Sequence, residues 1–400
     1  MATASSDRRE PEARRLGFGA PHTNTRQYRR AVGNPDERLH SDADYLRRKF
    51  SIPKFDPEVF DYEQLAPTIF QHTWEPGPNG LAGGPSLFVT GPEGTGKSTL
   101  FLRSALIEMG DFDGDPPDVE KDERGSRVVW RAVTGSRSEW LPFHDVARVC
   151  IPKGYEPTAR VVPRTRSRSS TGTEVPLEDV VREVVYYSDV MDLNLRVLQD
   201  GMFNVVFPDP EMRGCQWLYE ESDRVVASRD SEIEFVGGRD PVDHWWFGFG
   251  LSLVERGPWP WTAWMLDEIQ SLAPEGAAND KYGTRMKIKL LAEAMEDFRK
   301  NGIARYIAGH KDHHAHSLIR DRIRWRITMN GTANPVKNRS ASHPVGFETV
   351  PMNSDWTSEM EIGEGLLYNE ARFEPLTWPN IEKPIDGDLK VYLDKRGGPA

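Results

Sequence analysis

The feature that most constrains this chain is a glycine-rich segment, Gly91 to Ser98, which reads G-x-x-x-x-G-K-S. An apolar run, Leu87 to Val89, leads into it, and residues 100–106 follow with helical spacing. A strand, a loop and a helix in this order form the context that a phosphate-binding loop requires. Glycines let the backbone approach phosphates closely, and the N–H groups at the helix start can bind them. The segment therefore predicts a nucleoside triphosphate site, with a chance glycine-rich turn as the alternative.

The predicted nucleotide-binding residues belong to this loop and to the first turn of its helix. They are Gly91, Pro92, Glu93, Gly94, Thr95, Gly96, Lys97, Ser98 and Thr99. Lys97 is expected to reach the β- and γ-phosphate oxygens, and the Ser98 hydroxyl is expected to ligate Mg²⁺.

Two adjacent acids follow a second apolar strand. Trp261 to Leu266 reads as a buried strand, and Asp267 and Glu268 come directly after it. Ligands of α/β proteins bind at the carboxyl ends of the strands. Asp267 can therefore hold the metal ion, and Glu268 can orient and deprotonate an attacking water. An ordinary acidic turn after a strand is the alternative.

A third apolar strand, Ile303 to Ala308, ends in Gly309 and His310. His310 is the candidate for contact with the γ-phosphate or the catalytic water. His313, His314 and His316 follow closely, which raises a zinc site as an alternative, but no cysteine or acid at metal-ligand spacing completes one. A polar cap over the next helix is the other interpretation of these three histidines.

Strands alternate with helices along the chain, and this predicts an α/β fold with a mainly parallel central sheet covered by helices on both faces. Helices are expected over 139–149 and 176–185. The core is expected at 61–335, with an insertion around 150–200. Residues 1–60 are expected to form a polar, mobile arm, and residues 336–400 to add C-terminal strands, a hairpin and a tail that complete the core.

The composition limits how the protein can bind nucleic acid and where it is expected to lie in the cell. The net charge is −11, so a global basic field for nucleic acid is absent and DNA contact would need a local patch. The segment Arg160 to Arg168 is concentrated in arginine, and either tracks a phosphate backbone or forms a solvated insertion. The two cysteines stand alone, and the first residues lack an apolar segment of the signal-peptide type. These features predict a cytoplasmic protein without membrane spans.

Taken together, these motifs resemble the additional-strand, RecA-like P-loop ATPases, and within them the FtsK/HerA superfamily. This superfamily includes type IV coupling proteins and viral genome-packaging ATPases. Gly91–Ser98 and Met265–Glu268 are similar to its two nucleotide motifs, and the stretch 305–310 to its strand-plus-sensor segment. Residues 362–376 resemble its late hairpin. The sequence departs from the family at Gly309-His310, where the family usually has glutamine.

The resemblance implies an ATP- and Mg²⁺-dependent hydrolase, since no guanine-recognition signature is present. It also implies a DNA motor that works on double-stranded DNA as a homo-oligomeric ring, a hexamer, in a virus or mobile element. Capsid, portal or membrane proteins are its expected partners. In such a ring a neighbour supplies an arginine to the γ-phosphate. The candidates are Arg285, Arg299, Arg305, Arg320, Arg322, Arg324 and Arg326. The alternative is a nucleotide switch that controls partner assembly without moving DNA.

Overall fold

A computed structural model describes residues 12–18, 84–109, 126–136, 138–164, 172–222, 233–256, 261–278, 280–332, 360–369 and 373–396. The expected N-terminal arm, residues 1–60, lies outside the described residues except for 12–18, where Ala13 and Phe18 are buried. Arg166 and Arg168 of the basic segment lie outside them as well. So do residues 336–359, 370–372 and 397–400 of the expected C-terminal region.

Thirteen strands are formed within the described residues. They are β1 Ser86–Thr90, β2 Arg127–Arg131, β3 Arg148–Pro152, β4 Tyr155–Pro163, β5 Thr173–Val175, β6 Glu183–Tyr187, β7 Phe203–Val206, β8 Thr262–Leu266, β9 Ile303–Gly309, β10 Trp325–Met329, β11 Glu364–Tyr368, β12 Phe373–Thr377 and β13 Gly387–Lys395.

Ten of these strands form the central sheet, in the order β12-β11-β10-β1-β9-β8-β2-β7-β3-β6. The eight strands from β10 to β6 pair in parallel, and β11 and β12 add an antiparallel hairpin at one edge. β9 lies between β1 and β8, which is the additional strand that the motif resemblance implied. The carboxyl ends of these three parallel strands therefore meet at one edge of the sheet, called the carboxyl edge below.

The helices pack on both faces of the sheet. They are α1 Glu12–Arg15, α2 Lys97–Met109, α3 Leu177–Val180, α4 Val190–Asp192, α5 Cys215–Glu221, α6 Trp245–Ser252, α7 Ile269–Leu272, α8 Thr284–Phe298 and α9 Ser317–Arg320. The predicted α/β class, with a mainly parallel sheet between helical layers, is confirmed.

Alternate residues of the strands explain why both faces are covered. Leu87 and Val89 of β1 pack with α2, whereas Phe88 between them packs on the opposite face with α6 and α8. Strands that are buried on both faces read as continuous apolar runs. The helix α8 is amphipathic instead, and it ends before Gly302, whose φ of +68° is the left-handed conformation that glycine adopts at low cost after a helix.

A second, antiparallel sheet has the order β13-β4-β5 and packs on the face that also carries α2. It joins the C-terminal strand β13 to β4, which comes from the region around 150–200. Of the helices in the described parts of the chain, none is long and apolar enough to cross a membrane.

Two of the expected helices are corrected. Residues 139–149 form a 3₁₀ turn, Leu141–Phe143, and then enter β3, and residues 176–185 form the short α3 and then enter β6. Both segments are drawn into the sheet because β3 pairs in parallel with β7 on one side and with β6 on the other. These long-range pairings outweigh the local helical spacing of the apolar residues.

Candidate nucleotide-hydrolysis site

The glycine-rich segment forms a loop between β1 and α2 at the carboxyl edge. Gly94 and Gly96 have φ values of +84° and +99°, which residues with a side chain rarely adopt. A Cβ on Gly91 would lie 2.6 Å from Thr95 Oγ1. Pro92, Glu93 and Gly94 form the exposed crest of the loop, and Thr95 is buried below it. The glycines are therefore needed for the shape of this loop.

The side chain of Lys97 folds back into the loop. Its Nζ donates to the carbonyl oxygens of Gly91 and Pro92, at 2.7 Å each, and the residue is 8% exposed. The ammonium group is thus held at the mouth of the loop by two neutral acceptors. A phosphate oxygen can replace these acceptors because a charge-assisted hydrogen bond is stronger than one to a neutral carbonyl.

Ser98 and Asp267 meet across the site. The Ser98 hydroxyl donates to Asp267 Oδ2 at 3.1 Å, although 169 positions separate the two residues. A hydroxyl oxygen and a carboxylate oxygen are the hard ligands that Mg²⁺ prefers, together with water and phosphate oxygens. The residues present therefore fit a magnesium ion. Thr99 is half-buried on the next position of the helix.

Glu268 and His310 form a second pair, on neighbouring strand ends. His310 Nε2 lies 3.7 Å from Glu268 Oε1, and both side chains are about one-third exposed, at 31% and 30%. β8 and β9 are adjacent in the sheet, so the residues that follow them lie side by side. A carboxylate and an imidazole so placed can together hold and deprotonate a water molecule.

The other three histidines serve local structure. His316 accepts the Leu318 N–H at 3.2 Å through Nδ1 at the start of α9, and burial lowers its pKa. The rings of His313 and His314 pack edge to face with centroids 4.8 Å apart. In the part of the chain that the structure describes, no group of three or more His, Cys, Asp or Glu side chains could hold a metal ion.

The arginines that could contact a neighbour's γ-phosphate differ in how deeply they are buried. Arg305 is buried and donates to the carbonyl of Met295, and Arg320 and Arg326 are buried with Asp312 between them. Arg322 pairs with Glu296 at 2.8 Å. The exposed candidates are Arg285, Arg299 and Arg324.

Two contacts of the site were not predicted from the motifs. Trp378, after β12, donates from Nε1 to the carbonyl of Gly96 at 3.3 Å. Arg131, at the end of β2, donates from Nη1 to the main-chain carbonyl of Asp267 at 2.8 Å. A charged residue at the end of an apolar strand was the one signal for Arg131, and nothing in the local sequence pointed to Trp378.

No model of a protein family matches the chain, and no curated protein matches it either. Solved structures do show similarity of fold. The genome-packaging NTPase B204 of Sulfolobus turreted icosahedral virus 2 is 10% identical, with 74% of this chain and 97% of that chain covered and a TM-score of 0.36.

Two further similar structures are a conjugation coupling protein and VirB4. The pCW3 conjugation coupling protein TcpA is 14% identical, with 73% of this chain and 59% of that chain covered and a TM-score of 0.29. VirB4 of Thermoanaerobacter pseudethanolicus is 10% identical, with 47% and 44% covered and a TM-score of 0.30.

Proposed function

We propose that this chain is an ATP-hydrolysing, Mg²⁺-dependent DNA motor of the FtsK/HerA type. The observation that carries the proposal is the meeting of five side chains at the carboxyl edge. Lys97 and Ser98 come from the loop after β1, Asp267 and Glu268 from the end of β8, and His310 from the end of β9. An ammonium group, a metal-ligating pair and a base beside a phosphate-binding loop are the parts that phosphoryl transfer to water requires.

The chemistry of each residue follows from its place. Lys97 exchanges its two carbonyl acceptors for β- and γ-phosphate oxygens, and the N–H groups of residues 94–98 donate to the same phosphates. A bound Mg²⁺, held by Ser98 and Asp267, supplies positive charge against the phosphates. Glu268 accepts a proton from water as the water oxygen bonds to the γ-phosphorus and the bond from that phosphorus to the bridging oxygen of ADP breaks. In this scheme His310 donates a hydrogen bond to the γ-phosphate or the attacking water.

The proposal extends from ATP hydrolysis to the movement of DNA. The resemblance of the motifs to FtsK/HerA ATPases supports double-stranded DNA as the substrate and a hexameric ring as the working form. The net charge of −11 requires that DNA contact come from a local basic surface. Packaging into a capsid through a portal, and transfer through a membrane-bound partner, are the two settings in which such a motor would work.

The test is ATP turnover by the purified protein with and without double-stranded DNA, beside Lys97→Ala and Glu268→Gln. We expect DNA to stimulate turnover and Lys97→Ala to abolish it. Glu268→Gln should still bind ATP but hydrolyse it at least about 100-fold more slowly, which is the order of magnitude of a lost general base. Wild-type turnover by Glu268→Gln would refute the assignment of the base. Turnover that depends on Lys97 but not on DNA would instead support the nucleotide switch.

A further inference from the structure

The carboxyl end of β2 carries an arginine that the hydrolysis scheme above does not use. The side chain of Arg131 is 1% exposed. β2 pairs in parallel with β8, with Trp130 opposite Met265, so the last residue of β2 lies beside the turn that follows β8. A buried guanidinium group is costly unless its charge is compensated by hydrogen bonds and an opposite charge, so the partners of Arg131 should indicate its role.

The partners of Arg131 lie on the turn that bears the proposed base. Its Nη1 donates to the main-chain carbonyl of Asp267, and its Nη2 donates to Ser271 Oγ, both at 2.8 Å. The same Nη2 lies 3.0 Å from Asp243 Oδ2, which supplies the opposite charge. Ser271 Oγ in turn donates to the carbonyl of Glu268 at 3.0 Å.

Glu268 needs such support because its backbone is strained. Its φ of +53° and ψ of 53° are left-handed, a conformation that costs a residue with a Cβ roughly 1–2 kcal/mol. The peptide groups on both sides of Glu268 are fixed: the carbonyl before it by Arg131, and its own carbonyl by Ser271. Its N–H donates to Asp267 Oδ1 at 2.8 Å. If Glu268 changed from this left-handed conformation to a right-handed or extended one, its carboxylate would no longer face His310.

We propose that Arg131 is a positioning residue for Glu268, acting through the carbonyl of Asp267 and the hydroxyl of Ser271. This inference rests on the proposed hydrolysis, because it assigns how the base is aimed. Arginine suits the task since its planar fork can reach the carbonyl, the hydroxyl and the carboxylate at once. A lysine has a single ammonium group on a flexible chain and cannot reproduce that geometry.

The main variant is Arg131→Lys, and the chain offers a matched control in Arg127→Lys. Arg127 lies at the other end of the same strand and is 1% exposed, with bonds to Thr262 Oγ1 and to the carbonyl of Asn194. Both variants therefore replace a buried guanidinium group on β2, but only Arg131 touches the turn of Glu268. Ser271→Ala is a milder variant at an exposed position: it removes the side-chain bond to the carbonyl of Glu268 and keeps the bond from the Ser271 N–H at 2.9 Å.

The first readout separates kcat from ATP binding. We expect Arg131→Lys to lower kcat by about tenfold or more, as misplacement of a reacting group does, while the Kd of a fluorescent ATP analogue stays within about twofold. Ser271→Ala should lower kcat in the same direction but less, and Arg127→Lys should leave both values unchanged. In a Glu268→Gln background, Arg131→Lys should change the residual rate by less than about twofold, because the two residues act as one unit.

The second readout does not depend on hydrolysis. Hydrogen exchange of the amides in residues 268–272 should become at least about threefold faster in Arg131→Lys and stay at the wild-type rate in Arg127→Lys. Unchanged exchange, an unchanged kcat, or equal losses in the two arginine variants would overturn the positioning role. A wild-type protein that does not hydrolyse ATP would overturn the proposed function instead, and the exchange comparison would still decide whether Arg131 holds the turn.

Discussion

At the scale of single residues, His244 lies in a buried polar cluster beneath α6 and α8. Lys287 Nζ donates to Asp240 Oδ2 at 2.6 Å, and both side chains are fully buried. The same Nζ lies 3.3 Å from His244 Nδ1, and Thr284 Oγ1 lies 3.3 Å from His244 Nε2. An ammonium group can only donate, so Nδ1 must accept, and the cluster holds the imidazole in its neutral form with the proton on Nε2.

This cluster predicts a pH dependence of stability. Burial, and then the charge of Lys287, lower the pKa of His244 to about 4, although Asp240, Asp280 and Asp243 act in the opposite direction. The unfolded chain binds a proton near pH 6.5 and the folded chain only near pH 4, so the free energy of unfolding falls as the pH falls through this window. The contribution of His244 is at most about 3 kcal/mol, from roughly 1.4 kcal/mol per pKa unit.

Chemical denaturation of the wild type, His244→Gln and His313→Gln between pH 7 and pH 4 measures this contribution. Glutamine can accept from Lys287 and does not titrate, so His244→Gln should lose less than half of the stability that the wild type loses. His313 is exposed, and its replacement should leave the pH profile unchanged. Equal losses in the wild type and in His244→Gln would contradict the prediction.

At the scale of elements, the hairpin β11–β12 is tied to the phosphate-binding loop. The N–H of Gly363, just before β11, donates to the carbonyl of Thr95 at 3.4 Å, and the Trp378 N–H after β12 donates to the carbonyl of Gly363 at 2.8 Å. The indole of Trp378 also bonds to Gly96. The hairpin therefore supports the loop from the side opposite to β9.

Gly363 is the position where this support should be most sensitive. Its φ is +89°, and a Cβ there would lie 2.7 Å from the carbonyl oxygen of Trp378. Gly154 has a similar φ of +92° but no atom within 4 Å of its Cβ position. Both alanine variants incur the backbone strain of roughly 1–2 kcal/mol. Only Gly363→Ala should incur a further cost of about 1–3 kcal/mol from overlap.

Thermal unfolding and ATP titration compare the two variants. Gly363→Ala should have the lower Tm and a weaker affinity for ATP, because it displaces a partner of Thr95 and Gly96. Gly154→Ala should bind ATP as the wild type does. If both variants lost the same stability and kept the same affinity, the hairpin would have no role in shaping the loop.

The elements that the sequence predicted well are those with strong local signals. β1, β8 and β9 were each expected from apolar runs, and the hairpin β11–β12 from its resemblance to the family. The strands β3 and β6 were missed because their residues carry apolar spacing that also suits a helix. Their strand state comes from pairing at the edge of the sheet, which local sequence does not encode.

The residues of the candidate site likewise include some that the motifs predicted and some that they did not. Lys97, Ser98, Asp267, Glu268 and His310 were predicted as site residues from motifs at strand ends, and the structure places them at one edge. Their catalytic roles stay predictions. Arg131 lies 136 positions from Asp267, and Trp378 lies 282 positions from Gly96. No family motif marks these two contacts, which follow from the sheet order, so they could not be predicted before the topology was known.

At the scale of the whole molecule, a ring requires that each subunit present one face to its neighbour's nucleotide. Arg285 is the second residue of α8, whereas Arg299 follows α8 and Arg324 directly precedes β10. The strands β9 and β10 begin at the edge opposite to the phosphate-binding loop. An arginine that acts on a neighbour must lie away from its own loop, so Arg299 and Arg324 suit this role better than Arg285.

Arg299 is the stronger of these two, because it lies in an exposed 3₁₀ turn between α8 and β9, and β9 leads directly to His310. Within the proposed ring, Arg299→Ala should lower turnover by on the order of 1,000-fold while ATP still binds.

Arg285→Ala is the control and should retain turnover. Mixing Arg299→Ala with Lys97→Ala should restore activity, since about one interface in four then joins an intact loop to an intact arginine. Full activity of Arg299→Ala would refute this assignment and leave Arg324 as the candidate. A loss of activity that mixing does not rescue would mean that Arg299 acts within its own subunit.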